Sequence, residues 1–427
     1  MKKRIIYVVL LIALAALCLG ALSSCNTSSA SFFDYSEDDL GLIGKLVSLM
    51  HGWIGNYGWT VVVFTVFLKI VMLPLDFWQR YSSRKSSLKM QRIQPLVEAI
   101  DKRYGANTQR ANEEKQKLYK KQGYSMASMC LPMIISMVIF FIMFGGLRNY
   151  STYSNITSFQ NLSQTYHATF VEQIEQNEEL KAKIEAKEGH ENDFTKYQEA
   201  VKSADAKNIL FAQTNIISAA KQLDPTLSVE YENVALEAVK EWYNNNHESW
   251  LWIHNVWQPD TWATVMQPYS GGSFGGGGFS SSGIDTSEYS GIEPTYKLIR
   301  NAVLEGNGYN HKGSWNGLMI LPLMSVGLSF LSQFISQRME RKNRKGETVQ
   351  QNPQQAASNK TMMIVMPLMM AWFGFIYTGA FAIYMVFNYA ISIISTLALR
   401  VPVEKIVLKR LDKEDEKNKS SKASYMR

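Results

Sequence analysis

A single charged residue stands out in the most apolar part of this 427-residue chain. Lys69 lies within Gly58–Leu75, a run whose other polar side chains are Thr60 and Thr65. As a helix with a rise of about 1.5 Å per residue, the run is about 27 Å long, enough to cross the hydrocarbon of a bilayer. An ammonium group there is costly unless polar groups or water receive it, so it marks a candidate functional position. The alternative is that the lysine extends to nearby headgroups.

Three apolar runs carry polar residues at helical spacing, which places those residues on one face of each helix. Hydroxyl and amide groups often hydrogen-bond packed spans together, and this is the simpler interpretation of any one stripe. Three stripes with a lysine favour a shared hydrated cavity, since an ammonium needs more than hydroxyls. The stripes are Thr65 and Lys69; Ser325, Ser329, Ser332, Gln333 and Ser336; and Tyr384, Asn388, Ser392 and Thr396. We predict a polar groove within the membrane, lined by Lys69, Thr65, Ser329, Gln333, Tyr384, Asn388 and Ser392.

The elements that must position these residues are membrane-spanning helices. Long apolar runs alternate with strongly charged segments, which is typical of a polytopic membrane protein rather than of one globular core. We predict an all-α membrane protein with five spans, at residues 58–75, 129–147, 315–335, 361–377 and 379–399. The last two spans are so close in sequence that they should form a tight hairpin.

Three segments rich in lysine and arginine predict which side faces the cytoplasm. They are a helical hairpin at residues 76–128, a loop at 336–360 and a tail at 400–427. Within the hairpin segment, Pro95–Tyr104 and Asn107–Lys121 have helical patterns, with proline at the first position of its helix. The charged tail is predicted to have no core to join. The topology is then N-terminus external and C-terminus cytoplasmic.

The N-terminus resembles an export signal, because the basic residues Lys2–Arg4 precede the apolar run Ile5–Leu22. The following Ser23-Ser24-Cys25 completes a sequence similar to a bacterial lipobox. We predict a signal peptide at residues 1–24 and lipidation of Cys25. A signal cleaved elsewhere and an uncleaved anchor are the alternatives.

Two further segments are predicted to lie outside the membrane. Residues 25–57 form a tether and, over residues 36–54, an amphipathic helix suited to the membrane surface. Residues 148–314 form a mostly helical acidic insert, with an exposed helix predicted over Phe170–Asp205. The glycine- and serine-rich stretch Gly271–Gly283 predicts a flexible linker.

No pattern in the sequence supports catalysis or metal binding. The six histidines are scattered and lie outside the predicted spans. The motifs HExxH and GxxxxGK[ST], which mark zinc peptidases and phosphate-binding loops, do not occur. The string GGSFG at residues 271–275 matches the serine-hydrolase motif GxSxG, but it lies in a glycine- and serine-rich low-complexity stretch rather than between a strand and a helix. We therefore predict that the protein is not an enzyme and uses no cofactor or metal.

The ordered set of segments resembles the YidC/Oxa/Alb family of membrane protein insertases. YGWTVVVFTVFLKIVMLPLDFWQR resembles the first core span of that family, and QRIQPLVEAIDKRYG with NEEKQKLYKKQG resembles its cytoplasmic hairpin. MCLPMIISMVIFF, GLMILPLMSVGLSFLSQ and MPLMMAWFGFIYTGAFAIYMVFN resemble the later spans, and SWLWIHNVWQPD resembles the segment before the third. The resemblance covers most of residues 36–400 outside the long insert.

The resemblance implies a five-helix bundle with a hydrophilic groove that is open to the cytoplasm and to lipid but closed to the outside. It implies a monomeric insertase and chaperone of the bacterial plasma membrane. Its partners would be nascent membrane proteins, the ribosome and membrane lipids, with the Sec translocon and signal recognition particle components as further candidates. Many members have an arginine in the first span where this chain has Lys69, which lacks the planar guanidinium fork. Thr378 and Met385 replace a usual proline and tryptophan.

Two other classes of function stay open on the residues alone. A small-solute transporter or channel often contains internal repeats, whereas this chain shows no repeat and an odd number of predicted spans. A membrane-anchored surface lipoprotein would bind a partner through the external insert and use its spans only as an anchor.

Overall fold

The computed structural model describes residues 32–33, 35–104, 107–121, 127–270, 278–282, 289–306, 315–340, 342 and 353–425. They form two compact units. The insert unit is the described part of Met1–Thr60, Phe144–Ile320 and Phe375–Ala382, and the span unit is that of Val61–Met143, Leu321–Gly374 and Ile383–Arg427. The predicted signal peptide and Cys25 lie outside the described residues.

The described residues are mostly helical and form no strand, which confirms the predicted all-α class. Short 3-10 turns occur at Glu37–Asp39 and Phe279–Ser282. The α-helices are α1 (Leu42–Ile54), α2 (Tyr57–Tyr104), α3 (Thr108–Lys121), α4 (Ala127–Gln176), α5 (Glu178–Glu185), α6 (Asp193–Ser203), α7 (Ala206–Leu223), α8 (Pro225–Asn246), α9 (Ile292–Gly306), α10 (Ile320–Glu340), α11 (Pro353–Ile376) and α12 (Gly379–Tyr425).

Three of these helices, α2, α10 and α12, are long and apolar enough to cross a membrane. They contain the first, third and fifth predicted spans. The second and fourth predicted spans belong to α4 and α11, whose side chains over residues 127–137 and 353–363 lie outside the described residues. Five spans in one bundle therefore stays a prediction.

Several helices extend beyond their predicted ends. α2 continues through Pro74 and Pro95 to Tyr104, so no helix begins at Pro95 as predicted. A proline inside a helix costs about 3 kcal/mol, because it lacks an N–H donor and crowds the preceding turn. Apolar packing beside Pro95 offsets this cost in a cluster formed by Ile93, Val97, Leu118 and Tyr119. α4 likewise runs past the predicted end of the second span, to Gln176.

The tail at the end of α12 does join a core, contrary to the prediction. Val403, Val407 and Leu411 are buried in one cluster with Leu88 of α2. Lys85 and Lys89 also bind Glu414, at 2.7 and 3.2 Å. The three apolar residues recur every four positions on one helix face. The abundant charges around this stripe led to the wrong prediction.

The insert unit is a helical domain built on the second half of α4. That half buries an apolar face against α7, α8 and α9. The face consists of Ile156, Phe159, Leu162, Tyr166, Phe170 and Ile174. The predicted exposed helix over Phe170–Asp205 is instead divided among the end of α4, α5 and α6. Asn177, Asp205 and Asp224 cap α5, α7 and α8 by accepting hydrogen bonds from backbone N–H groups in the first turn.

Part of the predicted glycine-rich linker belongs to the core of the insert unit. Residues 271–277 and 283 lie outside the described residues. Phe279, however, is buried, and its ring stacks on Tyr296 with the centroids 4.6 Å apart. A Cβ at Gly278 would lie 2.5 Å from the carbonyl oxygen of Tyr269, so only glycine fits there. This part is not a flexible linker, because Phe279 supplies an apolar anchor within the polar composition.

One irregular segment of the insert unit contacts the first residues of the helices that are able to span a membrane. We call residues 250–262 the knot. A Cβ at Gly58, the second residue of α2, would lie 2.2 Å from the Trp250 ring, so glycine permits the close approach. The first two N–H groups of α12 donate at 2.8 Å to the carbonyls of Gln258 and Val256. The knot therefore holds the starts of α2 and α12.

Two buried polar side chains join the knot to the start of α10. Asp260 accepts hydrogen bonds from the backbone N–H of Met319 and from the indole N–H of Trp252, both at 3.2 Å. The Asn316 side chain accepts a 2.7 Å hydrogen bond from the N–H of Asn255. Its amide also donates, at 2.9, 3.2 and 2.9 Å, to the carbonyls of Asn255, Gln258 and Pro259. These bonds hold residues 315–319 in an irregular conformation, so α10 begins at Ile320 rather than at the predicted residue 315.

Buried His167 should make the stability of the insert unit depend on pH. Its Nδ1–H donates a 2.7 Å hydrogen bond to the carbonyl of Ser163, and burial lowers the pKa of His167 to about 4. The unfolded chain has a histidine pKa of about 6.5 and binds the proton first, so stability is complete above that pH and falls as the pH approaches 4. We expect a loss of about 2 kcal/mol between pH 7.5 and pH 5.

Hydrogen exchange of the α4 amides, measured in the full chain at both pH values, tests this expectation. His167→Gln should remove this pH-dependent part of the exchange while leaving the rest of the profile intact. An equal pH dependence in the variant and the parent protein would show that other groups cause it.

Candidate functional site

Lys69 shares one face of α2 with three other polar residues. Thr65, Asp76 and Arg80 lie four, seven and eleven positions from it, spacings that bring side chains to the same side of a helix. The Lys69 ammonium is 3.9 Å from Asp76 Oδ2, and the two side chains are 18% and 16% exposed. The lysine therefore has an acidic partner on its own helix.

Asp76 is a candidate site residue that the sequence pattern did not single out. The predicted span ended at Leu75, and this boundary separated the acid from the lysine. In the structure α2 continues through both positions. Asp76 Oδ2 is buried and has no hydrogen bond within the described part of the chain. A sequence prediction that continued the helix past Leu75 would have placed Lys69 and Asp76 on the same side, because positions seven apart share a helix face.

Arg80 joins this polar face to α12. Its guanidinium donates to the Thr396 hydroxyl at 2.5 Å, the Ser395 hydroxyl at 3.0 Å and the Ser392 carbonyl at 3.3 Å. The predicted polar stripe of the fifth span thus meets a cation, but that cation is Arg80 rather than Lys69. The basic composition around Arg80 predicts the cytoplasmic side of the membrane but does not indicate a partner for this residue.

The other predicted groove residues are placed in the same unit but make separate contacts. The Thr65 hydroxyl donates at 2.7 Å to the carbonyl of Val61 on its own helix. Ser329 is buried on α10 and approaches Tyr389 of α12. Tyr384 is buried, and Gln333, Asn388 and Ser392 are half-buried. Within the described residues, no hydrogen bond links Lys69 to these side chains of α10 and α12. A single groove that joins them stays a prediction.

Arg84, one turn beyond Arg80, ties three helices together. Its side chain is buried and binds both carboxylate oxygens of Glu404 in α12, at 2.6 and 2.7 Å. It also donates to the main-chain carbonyl of Met339 in the last turn of α10, at 3.3 Å, and to that of Lys342 just after the helix, at 2.8 Å. This bidentate arrangement uses the planar fork that distinguishes arginine from lysine. Arg80 and Arg84 therefore fix α2 beside α10 and α12.

The histidines in the described part of the chain offer no comparable site. His190 Nδ1 lies 2.7 Å from an oxygen of Asp193 at the start of α6, and His167 is buried in the insert unit. Across the described ranges there is no cluster of three His, Cys, Asp or Glu side chains able to hold a metal ion. The polar face of α2 is thus the candidate site.

The chain matches a known family over most of its length. The family model described as 60Kd inner membrane protein aligns with residues 49–220 and 234–405. The chain belongs to this family. The two matched stretches contain the polar face of α2 and its partners on α10 and α12. The resemblance to the YidC/Oxa/Alb family that was inferred from the motifs is confirmed.

Individual relatives agree with the family model. The membrane protein insertase YidC of Caldanaerobacter subterraneus subsp. tengcongensis is 39% identical over 112 residues, which is 26% of this chain and 52% of that protein. The proteins of the same name from Campylobacter jejuni and Stenotrophomonas maltophilia are 34% identical over 105 residues and 35% over 116. Those alignments cover 25% and 26% of this chain but 19% and 20% of the relatives. Membership of the 60Kd inner membrane protein family, together with the long apolar helices, indicates that this chain is a protein of a bacterial membrane.

Proposed function

We propose that this protein is a membrane protein insertase and chaperone, which helps newly made membrane proteins to insert, fold and assemble in the plasma membrane. The observation that carries the proposal is the polar face of α2. Lys69, Asp76 and Arg80 form this face on a helix apolar enough to cross a membrane. Membership of a family whose relatives are named membrane protein insertases supports the same function.

The chemistry follows from the cost of moving polar chain through hydrocarbon. An unsatisfied backbone group in lipid costs several kcal/mol, and charged groups cost more. A groove lined by Lys69, Ser329 and Asn388 would replace part of the hydration of a polar substrate segment. The apolar segment would then leave along the third and fifth predicted spans into lipid, driven by hydrophobic transfer. No bond is broken in this process.

The basic segments suit the delivery of a nascent chain. The hairpin at residues 76–128 and the tail at 400–427 would receive the ribosome, with signal recognition particle components and the Sec translocon as further partners. Exposed cations such as Lys117 on α3 fit an anionic partner of this kind. The protein would act as a monomer, with an external N-terminus anchored to lipid at Cys25 and a cytoplasmic C-terminus.

Replacing Lys69 should impair this activity. We expect Lys69→Ala to slow the insertion of a dependent single-span substrate about tenfold, equivalent to about 1.4 kcal/mol. Lys69→Arg should retain most of the rate, because it keeps the charge. The measurement is protease protection of the substrate in liposomes that contain the purified full chain.

Lys202→Gln, which removes an exposed lysine from the insert unit, is the matched control. Normal insertion by Lys69→Ala would mean that the charge is not needed. Insertion by the parent protein no better than by protein-free liposomes would contradict the insertase function. Solute flux without any effect on insertion would instead favour a transporter.

A further inference from the structure

We infer that Asp76 competes with acidic side chains of the substrate for Lys69. The inference rests on the proposed insertase function and adds to it a determinant of which substrate segments are accepted. It comes from the juxtaposition of two oppositely charged, mostly buried side chains whose contact is incomplete.

Lys69 and Asp76 carry opposite charges but are not hydrogen-bonded to each other. The distance of 3.9 Å between Nζ and Oδ2 allows electrostatic attraction, yet it exceeds the range of an N–H···O hydrogen bond. Asp76 Oδ2 is also buried without any hydrogen bond to the described residues. Buried polar atoms normally have such a partner. Each member of the pair therefore keeps hydrogen-bonding capacity for another group.

Lys69 is better suited than Arg80 to receive that group. Arg80 lies within electrostatic range of Asp76, but its two terminal nitrogens are bound to the Ser395 and Thr396 hydroxyls and the Ser392 carbonyl. Its Nε has no hydrogen bond within the described residues, but it is buried and so is poorly placed to receive an entering group. Lys69 has three ammonium donors and, among the residues that the structure describes, one ionic partner at the limit of contact. An entering carboxylate would thus bind at Lys69 rather than at Arg80.

The consequence is a selection on substrate charge. Asp76 neutralises the charge of Lys69, and it repels any second carboxylate that approaches the same ammonium. An acidic residue of a substrate must therefore displace Asp76 from Lys69 or share the lysine with it. An amide in the same position meets no such repulsion, so Asp76 lowers the insertion of acidic segments relative to uncharged ones.

The test uses the full chain in proteoliposomes with two single-span substrates, identical except that the acidic residues of one external segment are amides in the other. Asp76→Asn keeps the shape of the side chain and removes its charge. We expect it to raise the ratio of acidic to amide insertion about fivefold, the lower end of the coupling found between linked sites. Asp76→Glu retains the charge with a longer reach and should lower the ratio.

Two controls separate competition from a general effect. Adding Lys69→Gln to Asp76→Asn should abolish the change in the ratio of acidic to amide insertion, because the double variant lacks the ammonium group for which Asp76 and the substrate compete. Glu237→Gln removes an exposed acid from α8 and should leave the ratio as in the parent protein.

The outcomes distinguish this inference from the proposed function. An unchanged ratio in Asp76→Asn, with both substrates affected alike, would show that Asp76 only stabilises α2 and would overturn the inference. If Asp76→Asn does not fold, Asp76→Glu provides the test. A ratio of acidic to amide insertion in Asp76→Glu that equals or exceeds the ratio in the parent protein would overturn the inference. Failure of the parent protein to insert either substrate would instead overturn the proposed insertase function.

Discussion

Arg84→Met is expected to destabilise the span unit by about 3 kcal/mol, the lower end for breaking a buried ion pair. The substitution leaves the Glu404 carboxylate without its bidentate partner and the Met339 and Lys342 carbonyls without a donor. The lower end applies because the Glu404 side chain is 32% exposed and water solvates part of the remaining charge. The change should be measured as the free energy of unfolding of the purified chain in detergent, with hydrogen exchange at the end of α10 as a local readout.

Companion variants show whether the loss comes from the hydrogen-bonding pattern of Arg84. Arg84→Lys keeps the positive charge but cannot bind both carboxylate oxygens in a planar fork, so it should recover only part of the stability. Arg84→Met combined with Glu404→Leu removes both charges and should recover more of it. Lys405→Gln removes an exposed cation beside Glu404 and serves as the control. Equal stability of Arg84→Met and the control would rule out the tie between the three helices.

Asn316→Ala is expected to cost the insert unit about 3–5 kcal/mol, since each buried group that loses its partner costs about 1–3 kcal/mol. The asparagine is fully buried, and its side chain bonds the N–H of Asn255 and the carbonyls of three knot residues. Loss of these bonds should also loosen the first turn of α12, whose N–H groups donate to the knot. Hydrogen exchange at Gly379 and Ala380 would report this effect directly.

Asn316→Asp distinguishes hydrogen bonding from packing. Aspartate has nearly the same shape, but its carboxylate cannot donate to the three carbonyls and would face them as an anion. We expect a loss at least as large as that of Asn316→Ala. Asn245→Ala, at an exposed position of α8, should change the stability little. If Asn316→Asp is as stable as the parent protein, the knot is held by shape alone.

The sequence by itself determined the class of the protein and the position of its central charge. Hydropathy is a local property, so the apolar runs that became α2, α10 and α12 were visible without any partner. A lysine within such a run is equally visible. The ordered motifs also pointed to the family that the comparison confirmed.

Only the tertiary structure decided which charges have partners. Arg84 and Glu404 are 320 positions apart, and in sequence Arg84 looks the same as the exposed Lys117. The knot depends on Asn316, whose hydrogen bonds reach back as far as Asn255, 61 positions earlier. The partnership of Lys69 with Asp76 required α2 to continue through Pro74, whereas a proline in the sequence argues against an unbroken helix. Local patterns fix which segments enter a membrane, whereas buried polar groups are satisfied by residues that only folding brings together.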